Sequence, residues 1–143
     1  MVAYFPKDNP DAQGEEESGN RVIHCGKTIV QIVRKAINPL LLQQGYKGIE
    51  IKITADYGQH TIVRYGSDRR KSHIDIISAT MNLASKMQSL AKAHQMVIGD
   101  NLYRRLNKSL KGRFIEINLH RSEWDYHYCH SDTEPYRTYV TKF

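Results

Sequence analysis

The apolar residues change period within a single stretch of chain, and this limits the possible folds more than any other feature. Ile49, Ile51, Ile53 and Ala55 alternate with Glu50, Lys52 and Thr54, the period of two that gives a strand one apolar face. From Ala79 onward, Met81, Leu83, Ala84, Met87, Leu90 and Ala91 recur at helical spacing. A chain that switches in this way needs a sheet and a helix laid against it, which excludes purely helical and purely β architectures. Between the two patterns, 61–65 and 74–77 are rich in β-branched residues. Asp56-Tyr57-Gly58-Gln59 reads as a turn, so 49–55 and 61–65 are expected to form an antiparallel hairpin.

Upstream, Val22, Cys25, Ile29, Ile32, Val33, Ala36, Ile37, Leu40 and Leu41 mark a long amphipathic helix, capped by Ser18 or Asn20. Pro39 is expected to kink or restart it by removing a backbone donor, and Gly45 to end it. Residues 1–5 read as a strand and 7–19 as a polar loop, with Glu15, Glu16 and Glu17 on a solvated face. Downstream, 95–98 reads as a strand, Asp100 as the cap of a helix over 102–106, and 114–117 and 136–142 as closing strands. The expectation is one domain over 1–143, of α+β class, with a mixed sheet covered by helices.

Several function classes fall away. The net charge of +6 invites a nucleic-acid reading, but the basic residues are scattered instead of gathered on one face. No apolar run approaches the roughly 18 residues of a membrane span, and the first residues do not form a secretion signal. Cys25 and Cys129 are the only cysteines, which favours a reduced, cytoplasmic setting. Gly26-Lys27-Thr28 has Arg21 where a phosphate-binding loop needs its first glycine, and it lies within a helical pattern. His127-Tyr128-Cys129-His130 has no zinc-ligand spacing, and no nucleophile elbow is present.

The segment 50–106 carries a specific resemblance. Ile53-Thr54-Ala55-Asp56-Tyr57-Gly58 resembles the strand of class III nucleotidyl cyclases that runs into a His-Thr-Gly turn, with Asp56 and Tyr57 replacing the first two turn residues. Gly66 matches the glycine that ends the family's next strand. Without a gap, Asp75-Ile76-Ile77-Ser78-Ala79-Thr80-Met81-Asn82-Leu83-Ala84-Ser85-Lys86-Met87 resembles the family signature Asp-x-x-Gly-Asp-Thr-Val-Asn-x-Ala-x-Arg-Leu. Asp100-Asn101-Leu102-Tyr103-Arg104-Arg105-Leu106 resembles the helix that follows.

The resemblance implies a ferredoxin-like mixed sheet whose N-terminal βαβ part is missing from this chain. It also implies conversion of a nucleoside triphosphate, here ATP, to a 3′,5′-cyclic nucleotide and pyrophosphate. The site would lie between this domain and a second copy or another cyclase domain. Asp75 would accept from the adenine amino group, Asn82 would hold the ribose and orient its 3′-hydroxyl, and Lys86 would replace the arginine that steadies the reacting phosphate. Lysine keeps that charge but lacks the planar fork of donors. Mg²⁺ or Mn²⁺ is expected for the complete domain, held by aspartates of the missing half and by no residue of this chain. The chain by itself is therefore expected not to cyclise ATP. The alternative is a catalytically degenerate cyclase-homology domain that dimerises or senses nucleotide.

Overall fold

The computed structural model describes residues 2–6, 11–66, 68, 70–119, 124–131 and 133–142. Helix α1 spans Ala12–Ile32 and continues through a widened π turn, Val33–Ile37, into α2, Asn38–Gln43. It starts earlier than the sequence pattern suggests. Asp11, not Ser18 or Asn20, caps it by accepting from the Gly14 N–H at 2.8 Å, and Glu15 in the first turn suits the positive end of the helix. Residues 12–19 are thus helical and not part of a loop, while 7–10 lie outside the described residues. Residues 2–6 run alongside without joining a strand.

Pro39 does not break the helix. The π turn, in which the Asn38 N–H reaches back to Val33, stands just before the ring that lacks a donor. Gly45 then ends the helix with φ of +77°, a left-handed conformation that costs glycine little. The Asn38 side-chain amide pins the returning chain by bonding both the N–H and the carbonyl of Ile49.

Four strands form the main sheet: β1 Ile53–Ala55, β4 Gln95–Gly99, β5 Ile115–Glu116 and β6 Thr138–Lys142, in the order β1-β4-β6-β5. A separate antiparallel pair joins β2, Thr61–Tyr65, to β3, His73–Ile77. The hairpin expected between 49–55 and 61–65 does not form. β1 instead runs parallel to β4, and β2 pairs with β3. The cause lies in β4, whose five residues are all buried. Such a strand is stabilised by neighbours on both edges and cover on both faces, so it recruits β1 on one edge and β6 on the other.

Helices cover both faces of β4. Met96 and Ile98 point to one side, where Ile23 of α1 packs with Leu102, Leu106 and Leu110. These come from α4, Asp100–Arg104, from the turn after it, and from α5, Lys108–Lys111, a short helix absent from the sequence expectation. Val97 points to the other side, toward Met87 of α3, Ala79–Met87, and toward Trp124 and Tyr136. Gly14, Ser18, Gly19, Ile23, Gly26, Val30 and Val33 are buried along the long helix, and of these only Val33 belongs to the stripe read in sequence. Ile29 and Ile32 are left 41% and 50% exposed. Among the described residues no helix is long and apolar enough to cross a membrane. Cys25 and Cys129 are both free thiols.

Candidate functional site

β1 is an edge strand, and beside it opens a cleft of about 1310 Å³. The 2–6 segment and α1 form one wall. The 56–60 turn and the first half of α3 form the other. α3 starts where it does because Ser78 caps it, accepting from the Met81 N–H at 3.2 Å while donating to the Gln59 carbonyl at 3.3 Å. The cap therefore also fastens α3 to the turn after β1.

The three site residues expected from sequence occupy different surroundings. Asn82 is exposed and lines the cleft with its neighbours Thr80 and Met81. Lys86 stands one turn further along α3, exposed and outside the cleft lining. Asp75 lies on β3 opposite Val63, exposed, with its carboxylate accepting from the adjacent Ile76 N–H at 2.8 Å. Asn82 and Lys86 share one helix, and Asp75 is on the hairpin before it. Within one chain only Asn82 of the three borders the cleft.

The structure gathers a second group that the sequence reading passed over as turn and cap residues. Asp56, half-buried at the end of β1, accepts from the Tyr57 N–H at 2.8 Å and from the Leu102 N–H at 3.3 Å through one oxygen. Its other oxygen accepts from the Tyr136 hydroxyl at 2.8 Å. Gly99 is the formal N-cap of α4 and has no side chain for the task, so Asp56 supplies the capping carboxylate from another part of the chain. Asp100, expected as that cap, is buried in the first turn of α4. It accepts instead from the hydroxyls of Tyr128 at 2.6 Å and Tyr139 at 3.1 Å and pairs with Arg104 at 2.7 Å.

Burial pushes the Asp56 carboxyl up to about 6, against the opposing pull of the Tyr136, Tyr57 and Leu102 hydrogen bonds, and nearby Asp100 adds to the rise. Burial likewise pushes the Tyr128 hydroxyl up to about 12, and its bond to Asp100 adds to this. Tyr136 and Tyr139 are shifted upward by burial and by these carboxylates. On the cleft side, Glu15 accepts from the Tyr57 hydroxyl at 3.0 Å and from Arg105 at 2.8 Å. The Arg105 guanidinium lies over the Tyr57 ring, 3.9 Å from its centroid. Glu15 therefore does not share the solvated face occupied by Glu16 and Glu17.

These carboxylates do not fit a divalent cation. Those of Asp56 and Asp100 already accept from tyrosine hydroxyls and backbone or arginine donors, and among the described residues no three His, Cys, Asp or Glu side chains gather as a metal site would require. In the 127–130 segment, Tyr128 turns inward to Asp100 while Cys129 is exposed and His130 stacks on the Tyr128 ring.

The sequence pattern of the adenylate and guanylate cyclase catalytic domain matches residues 13–123. This chain belongs to that family. A comparison with curated proteins finds no match. Among solved structures, the guanylyl cyclase Cya2 shares 14% identity with a TM-score of 0.65, over 88% of this chain and 58% of that one. The guanylate cyclase domain of RhGC from Catenaria anguillulae, solved in complex with GTP, shares 22% identity and a TM-score of 0.58, over 88% and 60%. The dimeric guanylyl cyclase domain of the RhoGC fusion protein from Blastocladiella emersonii shares 18% and 0.60, over 95% and 61%. At these identities the likeness concerns the fold. The cyclase-family chain described here spans about three-fifths of the length of these neighbours.

Proposed function

We propose that this chain is the C-terminal part of a nucleotidyl cyclase that converts ATP to cyclic AMP and pyrophosphate for intracellular signalling. It would act when a second cyclase segment provides the metal-binding carboxylates. The observation that carries this reading is the position of Asn82. In a chain of this family, it lies on the rim of the cleft beside β1, on a helix fastened at its first turn by Ser78.

In the reaction, the ribose 3′-hydroxyl attacks the α-phosphorus and one P–O bond forms. The bond to the bridging oxygen breaks, pyrophosphate leaves, and the hydroxyl proton passes to solvent or a base. Asn82 would donate to and accept from the ribose oxygens and aim the hydroxyl. Lys86, one turn away on α3, would place a positive charge near the phosphate, where charge develops in the transition state. Asp75 would accept from the adenine amino group, a choice favouring ATP over GTP. Mg²⁺ or Mn²⁺ bound by the second segment would neutralise phosphate charge.

Two features support assembly with a second domain. The β2–β3 hairpin leaves Ile62 and Ile74, which share one face, 70% and 61% exposed, a pair suited to burial against another surface. Asp75, on that hairpin, is likewise exposed and outside the lining of the cleft that Asn82 borders, which leaves its surface open to a second domain. The test is cyclic AMP formation from ATP with Mn²⁺ by the full-length protein, and by this chain mixed with a cyclase domain that carries the metal aspartates. Product formation that Asn82→Ala abolishes while folding is retained supports the reading. No product in either arrangement overturns it.

One set of substitutions favours a second reading. Ser78-Ala79 in place of Gly-Asp, Asp56-Tyr57 in place of His-Thr, and Lys86 in place of arginine suit a degenerate domain that dimerises or senses nucleotide. Nucleotide-dependent dimerisation without product would identify that role.

A further inference from the structure

The 56–59 turn is bolted at both ends. At one end the Asp56 carboxylate caps α4 through the Leu102 N–H and holds the Tyr136 hydroxyl, which in turn accepts from the Asn101 N–H at 2.9 Å. The fit is close enough that a methyl group at Gly99 would overlap that carboxylate. At the other end Gly58 packs against Thr80, leaving no room for a side chain, and the Gln59 carbonyl accepts from the Ser78 hydroxyl. Thr80 and Ser78 form the start of α3, two residues and one turn ahead of Asn82. Only Tyr57 separates the two attachments, and it is held by Asp56 through its N–H and by Glu15 through its hydroxyl.

We propose that Asp56 is a positioning residue: through the 56–59 turn it ties the N-terminus of α4 to that of α3, and so fixes where Asn82 stands on the cleft rim. Only the last step rests on the nucleotide reading. A charged Asp56 draws in the Leu102, Tyr57 and Tyr136 donors, whereas a protonated one holds them less strongly and must donate its own proton. Burial pushes the Asp56 carboxyl up to about 6, so its charge, and with it the hold on these donors, changes near that pH. The groups around it are Asp100 and Arg104 on α4, Tyr136 before β6, and the Glu15–Arg105 pair reached through Tyr57. His60 follows on the same segment, packed edge-on to Tyr4.

The test is an ¹⁵N-labelled sample of the full chain followed by amide NMR from about pH 4.5 to about 8. The expected result is one shared midpoint near 6 for Leu102 on α4 and for Thr80, Met81 and Asn82 on α3. That shared midpoint disappears in Asp56→Asn. Tyr136→Phe, which removes a donor favouring the charged form, moves the midpoint to higher pH and serves alone if Asp56→Asn does not fold. The inference is overturned if the α3 amides stay flat while Leu102 titrates, or if they keep their midpoint in Asp56→Asn. ATP titrated into the same samples separates the two readings. A wild-type chain whose spectrum ATP leaves unchanged speaks against the nucleotide role of Asn82, and the α4–α3 coupling is still read from the pH series.

Discussion

Gly26 lies in the middle of α1, where the helix crosses β4, and its replacement by alanine sets two opposing effects against each other. An alanine in a helix interior is worth about 1 kcal/mol over glycine, because less backbone freedom is lost on folding. Against this, the new methyl would stand 3.0 Å from the Met96 sulfur, 3.5 Å from its terminal carbon and 3.6 Å from Ile53 Cδ1. Met96 is a flexible side chain, but it is fully buried in the core that α1, α4 and α5 cover, so it has little room to retreat. Overpacking of this kind costs about 1–3 kcal/mol, and the expected net loss for Gly26→Ala is about 1 kcal/mol.

Met96→Ala alone should cost about 3 kcal/mol from lost burial and the resulting cavity. In that background the Gly26→Ala methyl occupies vacated space, so its effect should reverse to a gain of about 1 kcal/mol. The expected coupling is therefore about 2 kcal/mol, well outside the scatter of independent sites. Urea unfolding measures it, followed by the emission of Trp124, the single tryptophan, which is buried on the opposite face of the sheet and reports loss of the whole fold. The midpoints should shift with no change in slope. Additive effects within about 0.5 kcal/mol, or a Gly26→Ala that stabilises alone, would refute the packing argument.

Other outcomes follow from the buried polar groups. The folded chain holds the Asp56 proton up to about pH 6, whereas the unfolded chain releases it near 3.8. The associated stability is fully present below 3.8 and is lost as pH rises through 6, by about 3 kcal/mol at about 1.4 kcal/mol per pH unit. Wild-type minus Asp56→Asn unfolding free energies across that range should show the loss, and parallel curves would contradict it. Gly99→Ala should drive the Asp56 carboxylate off the Leu102 N–H and lower stability by about 2–3 kcal/mol, with faster hydrogen exchange at Asn101 and Leu102. Exchange unchanged from wild type would mean that the cap survives. Trp124 donates its indole N–H to the buried Tyr136 carbonyl at 2.9 Å. Trp124→Phe should therefore cost about 2–3 kcal/mol in thermal or chemical unfolding, from the unmet acceptor and the lost volume.

The elements that the sequence determined are those set by neighbours along the chain. The helix from Ala79 is one. Its apolar spacing and the serine before it are local, and α3 spans Ala79–Met87 with Ser78 as its cap. Gly45 at the end of the long helix, β3 and β4 were legible for the same reason. So was the family, because the residues over 75–87 keep their order and spacing. Asn82 was named from that pattern, and the structure sets it on the cleft rim.

What the sequence left open depends on partners distant in the chain. Alternation in 49–55 identifies a strand but says nothing about its neighbour. The choice of β4 over β2 was made by a fully buried central strand whose two edges both needed pairing. Asp100 precedes a helix and has the chemistry of a cap, yet burial gives its carboxylate to Tyr128 and Tyr139, which approach from the C-terminal segment. The cap itself comes from Asp56, which sequence alone shows only as a turn residue. Local propensity fixes which residues become helix or strand, because those costs and gains are paid within a few residues. Which carboxylate caps which helix, and which strand lies beside which, is settled only when the whole core closes and each buried polar group must find a donor or acceptor.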